Sequence, residues 1–118
     1  MNLTENQQRV LDALREVSRA NVVRYRDKTP YLYEQDCKKL AAGDQACAFG
    51  LGGLSREVGT RLNLAAASVL STFKALERKG LVLREAGYPE YQRPRYWWPV
   101  GLAAEMAAQL LPVEKVSP

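Results

Sequence analysis

Apolar positions recur along this chain at helical spacing in four separate stretches. Val10, Leu11, Leu14 and Val17 form one stripe, with Arg9, Asp12, Arg15 and Glu16 on the opposite side. Thr4 and Gln7 stand three apart at its start and predict a capping box, so a first helix is expected within residues 1–20. Leu54, Val58 and Leu62 stack at four-residue intervals on a second amphipathic segment. Val69, Phe73 and Leu76 define the buried face of a third, from about Ala65 to Lys79, which Gly80 ends. Leu102, Met106 and Leu110 mark a last helix over 101–111, closed by Pro112. Residues 113–118 are expected to fray.

Two runs depart from the helical period. Leu81 to Glu85 reads as a strand, and Tyr96 to Trp98 as its return partner across a turn that contains Gly87 and Pro89. Side chains alternate along a strand, so one tryptophan should face the core and the other an outer face or an interface. Between the second and third helices stands Asn63, one of the few residues besides glycine that tolerates a left-handed exit. Gly59 lies inside a helical stretch, where it costs about 1 kcal/mol against alanine. A small residue is expected there because another segment crosses close by.

The stretch LSREVGTRLNLAAASVLSTFKALERKGLVLR, from Leu54 to Arg84, resembles a helix-turn-helix through Val58, Gly59, Leu62, Asn63, Leu64 and Val69. Its ending KALERKGLVLR, followed by an aromatic and basic hairpin, is similar to the winged helix-turn-helix of bacterial, phage or plasmid transcriptional regulators. The resemblance covers residues 54–99, roughly half of the chain, with the leading helix packed behind. The fold class it implies is α+β and mostly helical. A β-hairpin wing, an insertion over 21–53 and a C-terminal helix complete a single domain over 1–118. The function it implies is double-stranded DNA binding, sequence- or shape-specific, by a small repressor.

Carried over residue by residue, the resemblance puts Ala65, Ala66, Ala67, Leu70, Ser71 and Lys74 on the groove-facing side of the second helix of the pair. Alanines and leucine touch thymine methyls or protein, and base edges are read by hydrogen bonds. Ser68, Ser71 and Thr72 are short donors, and Lys74 would reach a phosphate. Such a helix fits a groove while reading few bases, so specificity would come from shape and the wing. A winged helix commonly sets arginines of its hairpin on the backbone or in the minor groove, which points to Arg84, Arg93 and Arg95. The same alanine-rich face keeps a second reading open, a protein-interaction module in a replication, phage or plasmid assembly.

Charge supports nucleic acid modestly. Net charge is +4 and the isoelectric point about 9.2. Six cations oppose three carboxylates between Ser71 and Arg95, so that stretch carries +3 of the total. Composition is globular, 47% hydrophobic and 25% charged over 118 residues. No apolar run approaches the roughly 20 residues of a membrane span, and no signal pattern opens the chain, so a cytoplasmic protein is expected.

The insertion over 21–53 has nearly balanced charge. Pro30 could open a short helix over Tyr31 to Ala42 that Gly43 stops. Tyr25, Tyr31 and Tyr33 argue for order. It either packs on the core or offers a surface to a partner. Cys37 and Cys47 both lie in it, and the chain has no histidine. Three readings stay open for them: two reduced thiols, a reversible disulfide, or a zinc site shared across a dimer. The run Gly50 to Gly53 reads as a flexible lead-in to Leu54. No nucleophile elbow, phosphate loop or metal cluster is present in the sequence, so neither an enzyme nor a cofactor is expected. Regulators of this shape usually pair, so a homodimer is expected through Leu102, Met106 and Leu110, aided by Tyr31, Tyr33 or the first helix.

Overall fold

A computed structural model describes residues 2–43, 51–85 and 96–108. Five helices and a small antiparallel sheet follow in the order α1 (Glu5–Lys28), α2 (Pro30–Ala41), α3 (Ser55–Leu62), α4 (Ala66–Arg78), β1 (Val82–Arg84), β2 (Trp97–Pro99) and α5 (Leu102–Ala108). The class is α+β and mostly helical. In the sheet Val82 faces Pro99, Leu83 faces Trp98 and Arg84 faces Trp97.

The caps form as the sequence directs. The Thr4 hydroxyl accepts the Gln7 N–H at 3.0 Å, and Gln7 Oε1 accepts the Thr4 N–H at 3.1 Å. Asn63 adopts φ 57 and ψ 45, which turns the chain sharply between α3 and α4. Gly80, at φ +78, closes α4: the Leu81 N–H bonds the Leu76 carbonyl and the Gly80 N–H that of Glu77. This is the paired pattern of a Schellman motif. Gly59 is needed for a close backbone approach. A Cβ there would lie 2.6 Å from the carbonyl oxygen of Leu64, in the corner leading to α4.

Three expectations need correction. The first helix does not stop at residue 20. It runs to Lys28 because nothing in Asn21–Lys28 breaks a helix, and Thr29 before Pro30 ends it. The glycine run does not remain a loose lead-in at its end. Gly53 exchanges both backbone hydrogen bonds with Trp97, at 2.9 and 2.8 Å, and adds a one-residue bridge to the sheet. A Cβ on Gly53 would lie 2.8 Å from Leu14 Cδ1, so glycine lets α1 press on that bridge. Finally, neither tryptophan is left on an outer face. Trp97 and Trp98 are both buried, on opposite faces of the hairpin.

Each tryptophan anchors a different cluster. Trp97 packs with Phe73, ring centroids 5.1 Å apart, and with Leu14, Val58, Val69 and Leu76. Trp98 lies with Val22, Tyr33, Cys37, Leu40, Leu102 and Met106. The second cluster is built from the insertion and from the far half of α1, so the insertion packs on the core and is ordered over α2. Burying Leu102 and Met106 alone contributes roughly 1.5–3 kcal/mol per side chain to seating α5. Arg19 on α1 adds a clasp, donating to both carboxylate oxygens of Glu105 at 3.0 and 3.4 Å.

That burial also corrects the expected dimer interface. Leu102 and Met106 are occupied by their own chain, 5% and 1% exposed, and present no apolar face to a second copy. Tyr33 is buried with them, while Tyr31 is exposed. Leu110 lies outside the described residues.

Cys37 lies fully buried on α2, and Cys47 falls outside the described residues. Burial pushes the Cys37 thiol up from its ordinary value, and the hydrogen bond from Tyr33 only partly opposes this. An exposed, acidic, redox-reporting thiol is therefore not what Cys37 provides. Burial raises the Tyr33 hydroxyl likewise. In the unfolded chain Cys37 loses its proton near 9.0, whereas the folded chain keeps it to higher pH. Above that value the unfolded state binds fewer protons, so stability falls as pH rises. Urea midpoints measured from pH 7 to 10.5 should hold to about pH 8 and then decline, with less decline in Cys37→Ala. An equal decline in both proteins would refute the assignment to Cys37.

Candidate nucleic-acid interface

The α3–α4 corner is held from behind by α1. Val58, Val69, Phe73 and Leu76 are each fully buried against Val10, Leu11 and Leu14. Polar ties fix the same seat. Lys79 Nζ donates to the Asn2 carbonyl at 3.0 Å and to Gln7 Oε1 at 2.9 Å, which pins the end of α4 to the start of α1. Arg61 on α3 pairs with Glu16 on α1 at 2.8 Å. The Arg61–Glu16 pair is solvent-exposed and worth about 0–1 kcal/mol, so its main effect is on orientation.

With one face of α4 fixed in the core, the opposite face projects into solvent. Ala65, Ala66, Ala67, Ser68, Ser71 and Lys74 are all exposed. Their neighbours are less available than the sequence suggests. Leu70 is half-buried and packs against the edge of the first cluster. Thr72 donates to the Ser68 carbonyl at 3.1 Å and accepts from Asn6 Nδ2 at 3.3 Å, so its hydroxyl is already engaged. The exposed strip is therefore narrow, made of small side chains at the first turn and Lys74 one to two turns on. Ala65, at the N-cap, supplies no side-chain cap, and the first turn holds no acidic residue. The helix's own first turn therefore supplies no negative group to its positive end.

Arg84 is the last residue of β1. Its Nε lies 3.3 Å from Glu77 Oε2, and its guanidinium stacks over the Trp97 ring at 5.7 Å. Glu77 and Arg84 lie on opposite sides of the Gly80 turn, and the ion pair ties β1 to α4. The side chain is thus paired within its own chain and stays partly exposed. Lys74 and Arg78 remain exposed, without an ion pair to any described residue. Arg93 and Arg95, the other two hairpin arginines singled out in the sequence, lie outside the described residues.

Sequence reasoning missed a cleft elsewhere on the molecule. The extension of α1 beyond residue 20 places Arg24, Tyr25 and Lys28 opposite Arg56 on α3, across a cleft of about 470 Å³. The signal was the i, i+4 spacing of Arg24 and Lys28, which has meaning only once that stretch is read as helix. None of the helices formed by the described residues is long and apolar enough to cross a membrane. In comparisons with known proteins, no family model, curated protein or solved structure matches the chain.

Proposed function

We propose that the chain binds double-stranded DNA as a small transcriptional regulator of the winged helix-turn-helix kind, acting as a repressor. The observation that carries this reading is the exposed strip of α4 from Ala65 to Lys74, mounted on a corner whose other face is buried against α1. Small side chains at a helix N-terminus allow a close approach of backbone to a phosphate-lined groove. Lys74 and Arg78 then supply charge. The order of the elements fits as well: helix, bridge residue, two helices around a left-handed corner, then a hairpin. Arg93 and Arg95 are the wing residues assigned to backbone or minor-groove contacts. If two copies pair on a palindromic site, the contact does not run through Leu102 and Met106, which their own chain covers.

The second reading, a module that binds protein, draws on the same strip. Ala65, Ala66 and Ala67 offer no hydrogen-bond donors to base edges. Salt separates the two. Mixed genomic duplex fragments should be retained at about 50 mM salt and released progressively toward about 200 mM. Replacing Arg93 and Arg95 together with alanine should flatten the salt dependence by about one log unit for each phosphate no longer neutralised. If no fragment is retained at either salt, DNA binding is wrong and the protein-binding reading takes its place. If affinity in the double variant is unchanged, the wing contacts lie elsewhere.

A further inference from the structure

The cleft between the end of α1 and the start of α3 is a separate feature from the α4 strip. Three cations stand on its rim, Arg24 and Lys28 from α1 and Arg56 from α3, all exposed. Two tyrosines, Tyr25 and Tyr96, contribute half-buried rings to its walls. A single carboxylate lines it, that of Glu57, and Glu57 Oε1 already accepts the Leu54 N–H at 2.9 Å. The local charge is therefore positive, and the negative group is tied to the backbone.

Parts of this cleft are pre-positioned. Arg24 Nη2 donates to Asn21 Oδ1 at 3.1 Å, and Asn21 Nδ2 donates in turn to the Gly52 carbonyl at 2.8 Å. The Tyr25 hydroxyl donates to Asp36 Oδ2 on α2 at 2.8 Å, which fixes the ring, and Asp36 itself does not line the cleft. Ordering these groups in advance lowers the entropy lost when a ligand binds. The volume, about 470 Å³, falls within the roughly 300–1,000 Å³ of small-molecule sites.

We propose that this cleft binds a small phosphorylated molecule that carries a planar ring, the chemistry of a nucleotide. Arginine forks and a lysine ammonium suit a phosphate, the arginines by paired N–H donors and the lysine as a point charge. The tyrosine rings give a planar group a stacking face. The cleft can serve this role whether or not α4 binds DNA.

The test titrates the full chain by calorimetry with adenosine diphosphate, with adenosine as the control lacking phosphate and inorganic phosphate as the control lacking a ring. Adenosine diphosphate should bind with a Kd of about 1 mM or tighter, and each control about tenfold more weakly. The double variant R24Q/R56Q changes exposed side chains only, and its thermal midpoint checks that the fold is kept. It should lose about tenfold or more in affinity. Saturable binding that the double variant leaves unchanged would overturn the site, as would no binding of the diphosphate up to several times that concentration. Phosphate binding as tightly as the diphosphate would remove the ring from the proposal. A double variant that weakens duplex DNA while neither protein binds the diphosphate would make the cleft a seat for backbone phosphate and end the small-ligand assignment.

Discussion

Trp97→Ala is expected to lower the stability of this protein by about 3–5 kcal/mol. The indole is 2% exposed, stacks against Phe73 and lies under the guanidinium of Arg84. Its backbone also holds Gly53 through two hydrogen bonds, so the side chain sits where α1, α4 and the hairpin meet. Truncating a buried tryptophan costs about 3–5 kcal/mol, because the forfeited transfer energy adds to an unfilled cavity. A domain of this size has roughly 5–15 kcal/mol in all. Urea denaturation should therefore show a midpoint lowered by about a fifth or more with an unchanged slope. A loss below about 1 kcal/mol would mean that the ring is not enclosed as described. Trp98→Ala should cost a comparable amount, yet it acts on the other cluster and so loosens α2 and α5 first.

The contrast between the two tryptophans also shows what a sequence can carry. Alternation along β2 follows from backbone geometry, so opposite faces for Trp97 and Trp98 were legible. What covers the second face was not, because that depends on where α2 and α5 dock, and no local rule fixes docking. The Leu102 and Met106 stripe has the same ambiguity. A four-residue period identifies an apolar face and leaves its partner open, whether another copy or the chain's own α2. Local conformational signals behaved differently. Asn63, Gly43 and Gly80 each take the positive φ that their residue types permit, because left-handed geometry is decided within a few residues. The end of α1 was readable in principle from Thr29 and Pro30. The polar run before them obscured it, since Val22 and Tyr25 alone make a weak stripe.

Part of the candidate interface was legible for the same reason. Periodicity places Val69, Phe73 and Leu76 inside, and hence Ala66, Ala67, Ser71 and Lys74 outside. Long-range partners were not. The Glu77 pairing of Arg84 and the Asn6 contact of Thr72 join residues that sequence spacing does not bring together. Both give an intrachain partner to a side chain that a linear reading assigns to DNA.

The second large effect concerns that surface. On a duplex that the wild-type protein retains, Ala66→Glu and Ala67→Glu are each expected to weaken binding by about fivefold to nearly a thousandfold while leaving the protein folded. Both alanines are exposed in the first turn of α4, which carries no acidic residue. A carboxylate there faces the positive end of the helix dipole and should stabilise the fold by about 0.3–1 kcal/mol. Against a phosphate at 4 Å the same charge is repelled by about 1 kcal/mol in water, and by about 4 kcal/mol at the effective dielectric of a protein surface. The affinity loss then ranges from about fivefold to nearly a thousandfold, with the larger value expected where water is excluded. The opposite signs are the useful feature, because a variant that melts no lower than wild type cannot lose binding through unfolding. Fluorescence anisotropy with a labelled duplex, paired with a thermal melt, measures both quantities. Ala66→Lys provides the reversed charge and should bind at least as tightly as wild type. Wild-type duplex affinity in both glutamate variants, with melting unchanged, would show that α4 does not face DNA.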